Sequence, residues 1–399
     1  MSTKKRICHI STVHPLSDVR IFYRECVSLA CTGYEVHLVI PAGKSEVRDG
    51  VHVHPLPRVK SRLLRMLIMP WVALSSALRT RSVLYHYHDP ELIFMGFILR
   101  WVFFKKVVFD IHESVVRQIV SKPYLPKFAK ALAPFMYSSL ERIFTIGQAL
   151  VVANKNSVPD YSTRKIQLVQ NYPLVSVDVD IVTKEWSSKA STPLLVYVGG
   201  VSKIRGGESY VELAQLLNER GYEYRMQIIG PYDRQFGTRI HRRIAELGLQ
   251  DRVVLLGRMP WPEAMKVVAQ AHIGMCLLMP VPNYTTCLAT KILEYMMLGT
   301  PVLASDFNCW REYVEGERVG RMADPTDIEQ VADTCQQMLD DPGELSQMAV
   351  RGIEAVRSKY NWTSEFRSLL ACYGELLGEI PEKKPSGPLS SEVGRTPPT

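Results

Sequence analysis

No two of the eight cysteines form a CxxC pair, and most sit inside apolar runs, as Cys8 and Cys276 do. This spacing excludes a cysteine-based zinc module and argues against a disulfide framework. It is the pattern of buried thiols in a reducing compartment. No apolar stretch approaches the roughly 20 residues that a membrane-spanning helix needs. The nearest, 92–104, is broken by Arg100. Lys4, Lys5 and Arg6 precede an apolar run that is short and interrupted by His9, so this stretch reads as a first strand and not as a signal peptide. Acidic residues are missing from 50–88, where Arg58, Lys60, Arg62, Arg65, Arg79 and Arg81 stand among Leu63, Leu64, Met66, Leu67, Ile68 and Trp71. A basic helix of this kind suits an anionic membrane surface. A helix packed on a sheet with solvated cations has the same composition. No helix-turn-helix or stacking-aromatic motif accompanies the charge, so nucleic acid is not an expected partner.

The composition, 46% hydrophobic and 22% charged over 399 residues, is that of a globular protein too long for one core, so two domains are expected. The net charge of +8 favours anionic partners, nucleotides and acidic membrane surfaces among them. Strand and helix patterns alternate from residue 5 onward, which predicts an α/β fold with parallel sheets covered on both faces. In the first half, strands are expected at 5–12, 35–41, 51–56, 83–88, 106–111, 143–147 and 165–169. After 174–192, which lacks a clear period, strands are expected at 194–198, 224–229, 253–256, 273–278 and 302–304. The expected organisation is a domain over 1–175, a linker over 176–192, a second domain over 193–360, a helix over 361–378 that packs back on the first domain, and a disordered tail over 379–399.

Ligands in such sheets sit at the carboxyl ends of strands. His14, Asp18 and Arg20 follow the first strand and are candidates for a binding loop, although Asp18 also suits a helix cap. His86 and His88 alternate at a strand end. Without a defined third and fourth ligand they read as hydrogen-bonding histidines, and no metal is expected. His112, flanked by Asp110 and Glu113, is better placed for a ligand. In the second half, the turn GGVSKIRGG (199–207) runs from strand to helix and can bring backbone amides and Arg205 onto a phosphate. Gly230 ends the next strand, and Arg258 follows the one after. In the stretch 283–314, Lys291 and Glu294 lie one helical turn apart near a helix start at Thr290. The helix amides and Lys291 suit a phosphate, and Glu294 can accept from sugar hydroxyls. An amphipathic helix with an exposed salt-bridge pair would have the same spacing.

With GGVSKIRGG followed by K-x-x-E-Y-M-x-x-G-x-P-V at 291–302, the chain resembles the retaining GT-B glycosyltransferases of family four, the group 1 glycosyltransferases. The loop HPLSDVRIFYRE with HDPEL and DIHE is similar to a branch associated with bacterial surface-polysaccharide assembly. The resemblance implies two Rossmann-like doubly wound domains facing across a cleft. It also implies metal-independent transfer, with retention, of a sugar from a nucleotide diphosphate sugar. That donor is a substrate, and no cofactor is implied. Arg205 and Lys291 match the residues on the diphosphate, Glu294 the carboxylate on the ribose, and His112 the histidine near the reaction centre. Two positions depart from the pattern. Gly200 stands where the family usually has Arg, and Thr286 stands where it has the first carboxylate of its E-x7-E motif. Asn283, Tyr284 and Thr286 are then candidates for the sugar contact. The resemblance further implies a glycan or glycolipid acceptor and a cytoplasmic protein held peripherally on the inner face of the plasma membrane. Transfer to a soluble acceptor such as a sugar phosphate, or nucleotide-sugar binding without transfer, are the alternatives.

Overall fold

The computed structural model describes residues 4–59, 61–112, 115–121, 126–161, 164–175, 189 and 191–378. The chain divides into two compact units. One joins Met1–Leu174 to a C-terminal segment that begins at Trp362, and the other is Val175–Asn361.

The first unit starts with β1 (Arg6–Ile10), α1 (Val19–Cys26, π-helical) and α2 (Val27–Cys31). It continues through β2 (Glu35–Pro41), β3 (Glu46–Arg48), β4 (Val51–Leu56), α3 (Arg62–Arg79), β5 (Leu84–Tyr87) and α4 (Ile93–Trp101). Next come β6 (Lys106–Ile111), α5 (Val115–Ser121), α6 (Lys127–Phe144), β7 (Ala149–Val152) and β8 (Ile166–Leu168). The strands form one sheet in the order β3-β4-β2-β1-β5-β6-β7-β8. All pairs are parallel except β3–β4. The order reverses between β1 and β5, which is the switch point of a doubly wound sheet. One face is covered by α1 and α14 (Trp362–Leu377), with Phe22, Leu38, Val53, Trp362, Phe366 and Tyr373 in a single cluster. The other face carries α3 and α4, with Met69, Ala73, Leu92 and Leu99 packed on Cys8, Val39 and Tyr85. Each fully buried aliphatic or aromatic side chain contributes about 1.5–3 kcal/mol.

One strand expectation is corrected. Residues 143–147 are the end of α6 and a turn, and the strand is Ala149–Val152. Ile143 is exposed at the end of an amphipathic helix, Ile146 is exposed in the turn after it, and Gly147 (φ 75°) reverses the chain before the strand begins. The short β3 has no sequence signal of its own. The expected linker over 176–192, apart from residues 189, 191 and 192, and the tail over 379–399 lie outside the described residues, as does Glu113.

The second unit follows as β9 (Leu194–Val198), α7 (Gly207–Glu219), β10 (Arg225–Ile229), α8 (Arg234–Glu246), β11 (Val253–Gly257), α9 (Trp261–Gln270) and β12 (Ile273–Cys276). It ends with α10 (Thr290–Met297), β13 (Val302–Ser305), α11 (Asn308–Val314), β14 (Gly320–Ala323), α12 (Ile328–Leu339) and α13 (Pro342–Ser358). Its sheet is wholly parallel in the order β11-β10-β9-β12-β13-β14. This is the 3-2-1-4-5-6 order of a Rossmann domain, with its switch point between β9 and β12. Cys8, Cys26, Cys276, Cys335 and Cys372 are buried, and burial pushes the Cys8 and Cys335 thiols up to about 12.

Candidate functional site

Two groups of polar residues gather at strand carboxyl ends, one in each unit. In the second unit the turn 199–207 leaves β9 beside the switch point. Its backbone is held by Gly199 N–H donating to Ile229 O (2.9 Å) and Val201 N–H donating to Pro231 O (2.9 Å). Two positions admit only glycine. A Cβ on Gly206 (φ 75°) would stand 2.0 Å from Leu277 O, and one on Gly230 (φ 146°) would stand 1.8 Å from Gly199 O. The close backbone approach leaves the turn open for the side chains that reach it.

Those side chains are Arg205 and Lys291. Arg205 Nη1 lies 3.2 Å from where a Cβ on Gly200 would be, and Arg205 Nε donates to Tyr284 Oη at 3.1 Å. Lys291, in the first turn of α10, places Nζ 2.9 Å from the corresponding point on Gly199 and 4.1 Å from the centroid of the Tyr197 ring. Helix α10 is braced against the strand ends by Tyr295. Its hydroxyl accepts from Val198 N–H (3.0 Å) and donates to Met275 O (3.2 Å). Gly274 leaves room for that ring, since a Cβ there would be 2.5 Å from it. Lys291, from the first turn of α10, thus approaches Gly199 and Arg205 approaches Gly200, so two cations meet one glycine turn, which is the chemistry of an anion site.

Among the described residues no ion pair joins Lys291 to Glu294, so the alternative of a surface salt-bridge pair is not what the helix makes. Glu294 is half-buried and accepts from Trp261 Nε1 at 3.4 Å. Thr290 opens α10. Thr286 Oγ1 donates to Pro282 O (2.9 Å), and Asn283 Oδ1 accepts from Cys287 Sγ (3.8 Å), so both belong to the loop that carries Tyr284. Arg258 is exposed one residue beyond Gly257, whose carbonyl accepts from Gly230 N–H at 2.7 Å. No hydrogen bond or ion pair holds Arg258 to the turn among the described residues. Tyr197 was not singled out by sequence, because an aromatic residue inside a buried strand carries no signal beyond packing.

In the first unit, His112 lies just past β6 with about a quarter of its side chain exposed. Its Nε2 is 3.1 Å from Asp110 Oδ2 and 3.3 Å from His88 Nδ1. His14 stands beside it, with ring centroids 5.2 Å apart, and pairs with Asp89 at 3.0 Å. Burial opposes the His14 imidazolium, but the bond to Asp89 outweighs it and raises His14. Burial would raise Asp89, yet His14 and the Thr12 amide bring that carboxyl down to about 2. Asp18 caps α1 through Ile21 N–H at 2.9 Å.

Arg20 is corrected. It is not a side chain of an acceptor-side loop but lies in α1, 4% exposed, with Nε and Nη2 on Asp110 (2.9 and 3.0 Å) and Nε 3.1 Å from Glu25. Burial would raise the Asp110 carboxyl, but Arg20 and His112 hold it well below its usual range. The sequence reading missed Glu25 and His9. They are brought here by the π-helical turn and by β1, and no periodicity announces them.

The architecture is that of the GT-B glycosyltransferases. A solved sucrose-phosphate synthase from Thermosynechococcus elongatus superimposes with a TM-score of 0.75 at 19% identity, covering 94% of this chain and 100% of that one. The Anabaena protein HepE, solved in complex with UDP-glucose, gives a TM-score of 0.69 at 12% identity over 93% of this chain and 99% of that one. At such identities these likenesses establish the fold.

Residues 178–355, less than half of the chain, match the family described as glycosyl transferases group 1. The alpha-D-kanosaminyltransferase of Streptomyces kanamyceticus is 27% identical over 184 residues, which is 46% of each protein. The chain thus spans about half the length of the curated relatives it matches. Residues 178–355 are thus similar to the group 1 glycosyl transferases, and the chain has the GT-B fold.

Proposed function

We propose that this protein transfers a sugar from a nucleotide diphosphate sugar to a lipid-linked glycan, with retention at the anomeric carbon, in the assembly of a polysaccharide. The observation that carries the reading is the convergence of Arg205 and Lys291 on the glycine turn after β9. In glycosyl transfer the leaving group is an anion. Fixed cations and helix amides aimed at the departing diphosphate lower the barrier without any proton transfer of their own. The departing phosphate then takes the acceptor proton, so no metal or cofactor is required for this step. Glu294 holds the ribose hydroxyls, and Asn283, Tyr284 and Thr286 meet the sugar in place of the missing carboxylate. His112 acts at the reaction centre, oriented by its bond to Asp110.

The lipid acceptor is favoured by one surface of the first unit. Helix α3 exposes Leu63, Leu64, Met66, Leu67, Ile68 and Trp71, with exposed Arg58 just before it. Arg65 is drawn to Glu91 at 3.1 Å and so leaves the apolar stripe uninterrupted. Such a helix lies in the headgroup region of an anionic membrane, the inner face of the plasma membrane being the site proposed. No helix among the described residues is long and apolar enough to cross a membrane. Sedimentation with vesicles tests this. The full-length chain is expected to pellet with vesicles containing anionic lipid at low salt, and to be released as salt screens the charge. If it stays in the supernatant under all conditions, transfer to a soluble acceptor such as a sugar phosphate becomes the reading.

A further inference from the structure

We propose that His9, Glu25, His86 and His88 form a binding site for a divalent first-row transition metal, zinc being the expected ion, inside the first unit. Their ligand atoms all lie within 4.8 Å of one another, and all four side chains are fully buried or nearly so. His9 Nδ1 is 3.0 Å from His88 Nε2 and 3.6 Å from Glu25 Oε2. Glu25 Oε2 is 3.8 Å from His88 Nε2 and 3.9 Å from His86 Nδ1. Bonds of about 2.0–2.1 Å to a tetrahedral zinc place neighbouring donor atoms about 3.3 Å apart, so the more widely spaced atoms draw in by about half an ångström or more as an ion enters. Three imidazoles and one carboxylate are a donor set that suits zinc and its first-row neighbours.

The surroundings fit as well as the ligands do. His88 turns its other nitrogen to Asp110 Oδ2 at 3.2 Å, the carboxylate–histidine arrangement that orients a metal-ligating imidazole. Tyr373 Oη lies 3.1 Å from His9 Nε2, the nitrogen that faces away from the cluster, and 2.6 Å from His86 Nδ1. An ion that takes His86 Nδ1 leaves Tyr373 to His9. Arg20 lies on Glu25 Oε1 at 3.1 Å, which leaves Oε2 for the ion. Without an ion the cluster is poorly satisfied. Glu25 Oε2, the oxygen left for the ion, is buried with no hydrogen-bond partner.

The elements that carry these residues are rigid and central. His9 and His86 are register partners on β1 and β5, at the switch point of the sheet. Glu25 comes from the π-helical turn of α1, five residues from Arg20 and so one hydrogen-bonded turn away. The expectation of no metal rested on His86 and His88 lacking a third and fourth ligand, and His9 and Glu25 supply them. The ion pins α1 to the switch strands and, through His88 and Asp110, fixes the ring of His112. It lies in the first unit and takes no part in holding the donor diphosphate on the second.

The test is metal analysis of the full-length chain purified without chelator, followed by cobalt titration of the metal-depleted protein. About one zinc per chain is expected, and the depleted chain should bind about one Co²⁺ with the strong visible bands of a tetrahedral site. Glu25→Gln and His86→Gln should each bring the content below about a tenth of an equivalent. His54→Ala breaks the half-buried pair with His37 on β2 and β4 (3.0 Å) and should leave the content unchanged. The proposal is overturned if the wild-type chain carries no first-row metal and shows no saturable cobalt binding, a result that depends on no variant folding. It is also overturned if the cobalt bands survive in both Glu25→Gln and His86→Gln.

Discussion

Replacing Lys291 by Ala is expected to weaken the binding of a nucleoside diphosphate by about 2 kcal/mol, about thirty-fold in Kd, the worth of one hydrogen bond to a charged group. The ammonium is already in place before any ligand arrives. It sits over the Tyr197 ring at 4.1 Å and against the backbone of Gly199, so little side-chain entropy remains to be lost on binding. The cation–π contact contributes about 0.5–1 kcal/mol to the fold, so the variant should stay folded while its affinity drops. Arg205→Ala should behave alike, since its guanidinium is steadied by Tyr284 at 3.1 Å. Calorimetric titration of each variant with a nucleoside diphosphate is the check. Unchanged affinity in both would put the anion site elsewhere.

Arg20→Met is expected to destabilise the first unit by about 3–5 kcal/mol, because it removes one partner of a buried ion pair and leaves the other charge behind. Methionine roughly fills the space, so the loss is electrostatic and not a cavity effect. Arg20 spans Asp110 with two hydrogen bonds and also meets Glu25, all three side chains being buried. Against the effect of burial, Arg20 is the main group that holds the Asp110 carboxyl well below its usual range, so losing the guanidinium leaves that carboxylate without its cation. Pairing Arg20→Met with Asp110→Asn should restore part of the loss, and denaturant unfolding of the single and double variants measures the coupling. A loss below about 1 kcal/mol with altered turnover would instead return Arg20 to the acceptor contact that its position after β1 suggests.

Much of the fold is legible in the sequence because strand and helix alternate with clear punctuation. Gly33, Gly221, Gly248 and Gly299 each follow a helix end, and the strands of the second sheet are short buried apolar runs between them. The strand placed at 143–147 went astray for a physical reason. Ile143, Phe144 and Ile146 look like a short apolar strand, but Ile143 is on the exposed side of a helix end and Ile146 is in the turn that follows. Arg205, Lys291 and Glu294 are legible from the glycine turn and the helix start, and the resemblance adds Thr286 as the place of the missing carboxylate. What spacing could not convey is that Lys291 reaches Gly199, since the two lie on different elements of the sheet's switch point. The histidine cluster was half visible. His86 and His88 alternate in plain view, whereas His9 and Glu25 join them only once β1 pairs with β5 and α1 adopts its wider turn.

The most direct test of the central claim is a thermal-shift and calorimetric screen of the full-length chain against uridine and guanosine diphosphates and their sugars. Binding stabilises the folded chain by mass action. Saturable binding of about one nucleoside diphosphate per chain is expected, weakened about thirty-fold in Arg205→Ala and in Lys291→Ala and retained in Arg258→Ala, whose side chain is exposed and not tied to the turn. No shift and no heat with any member of the panel, from a chain that unfolds cooperatively, would contradict it.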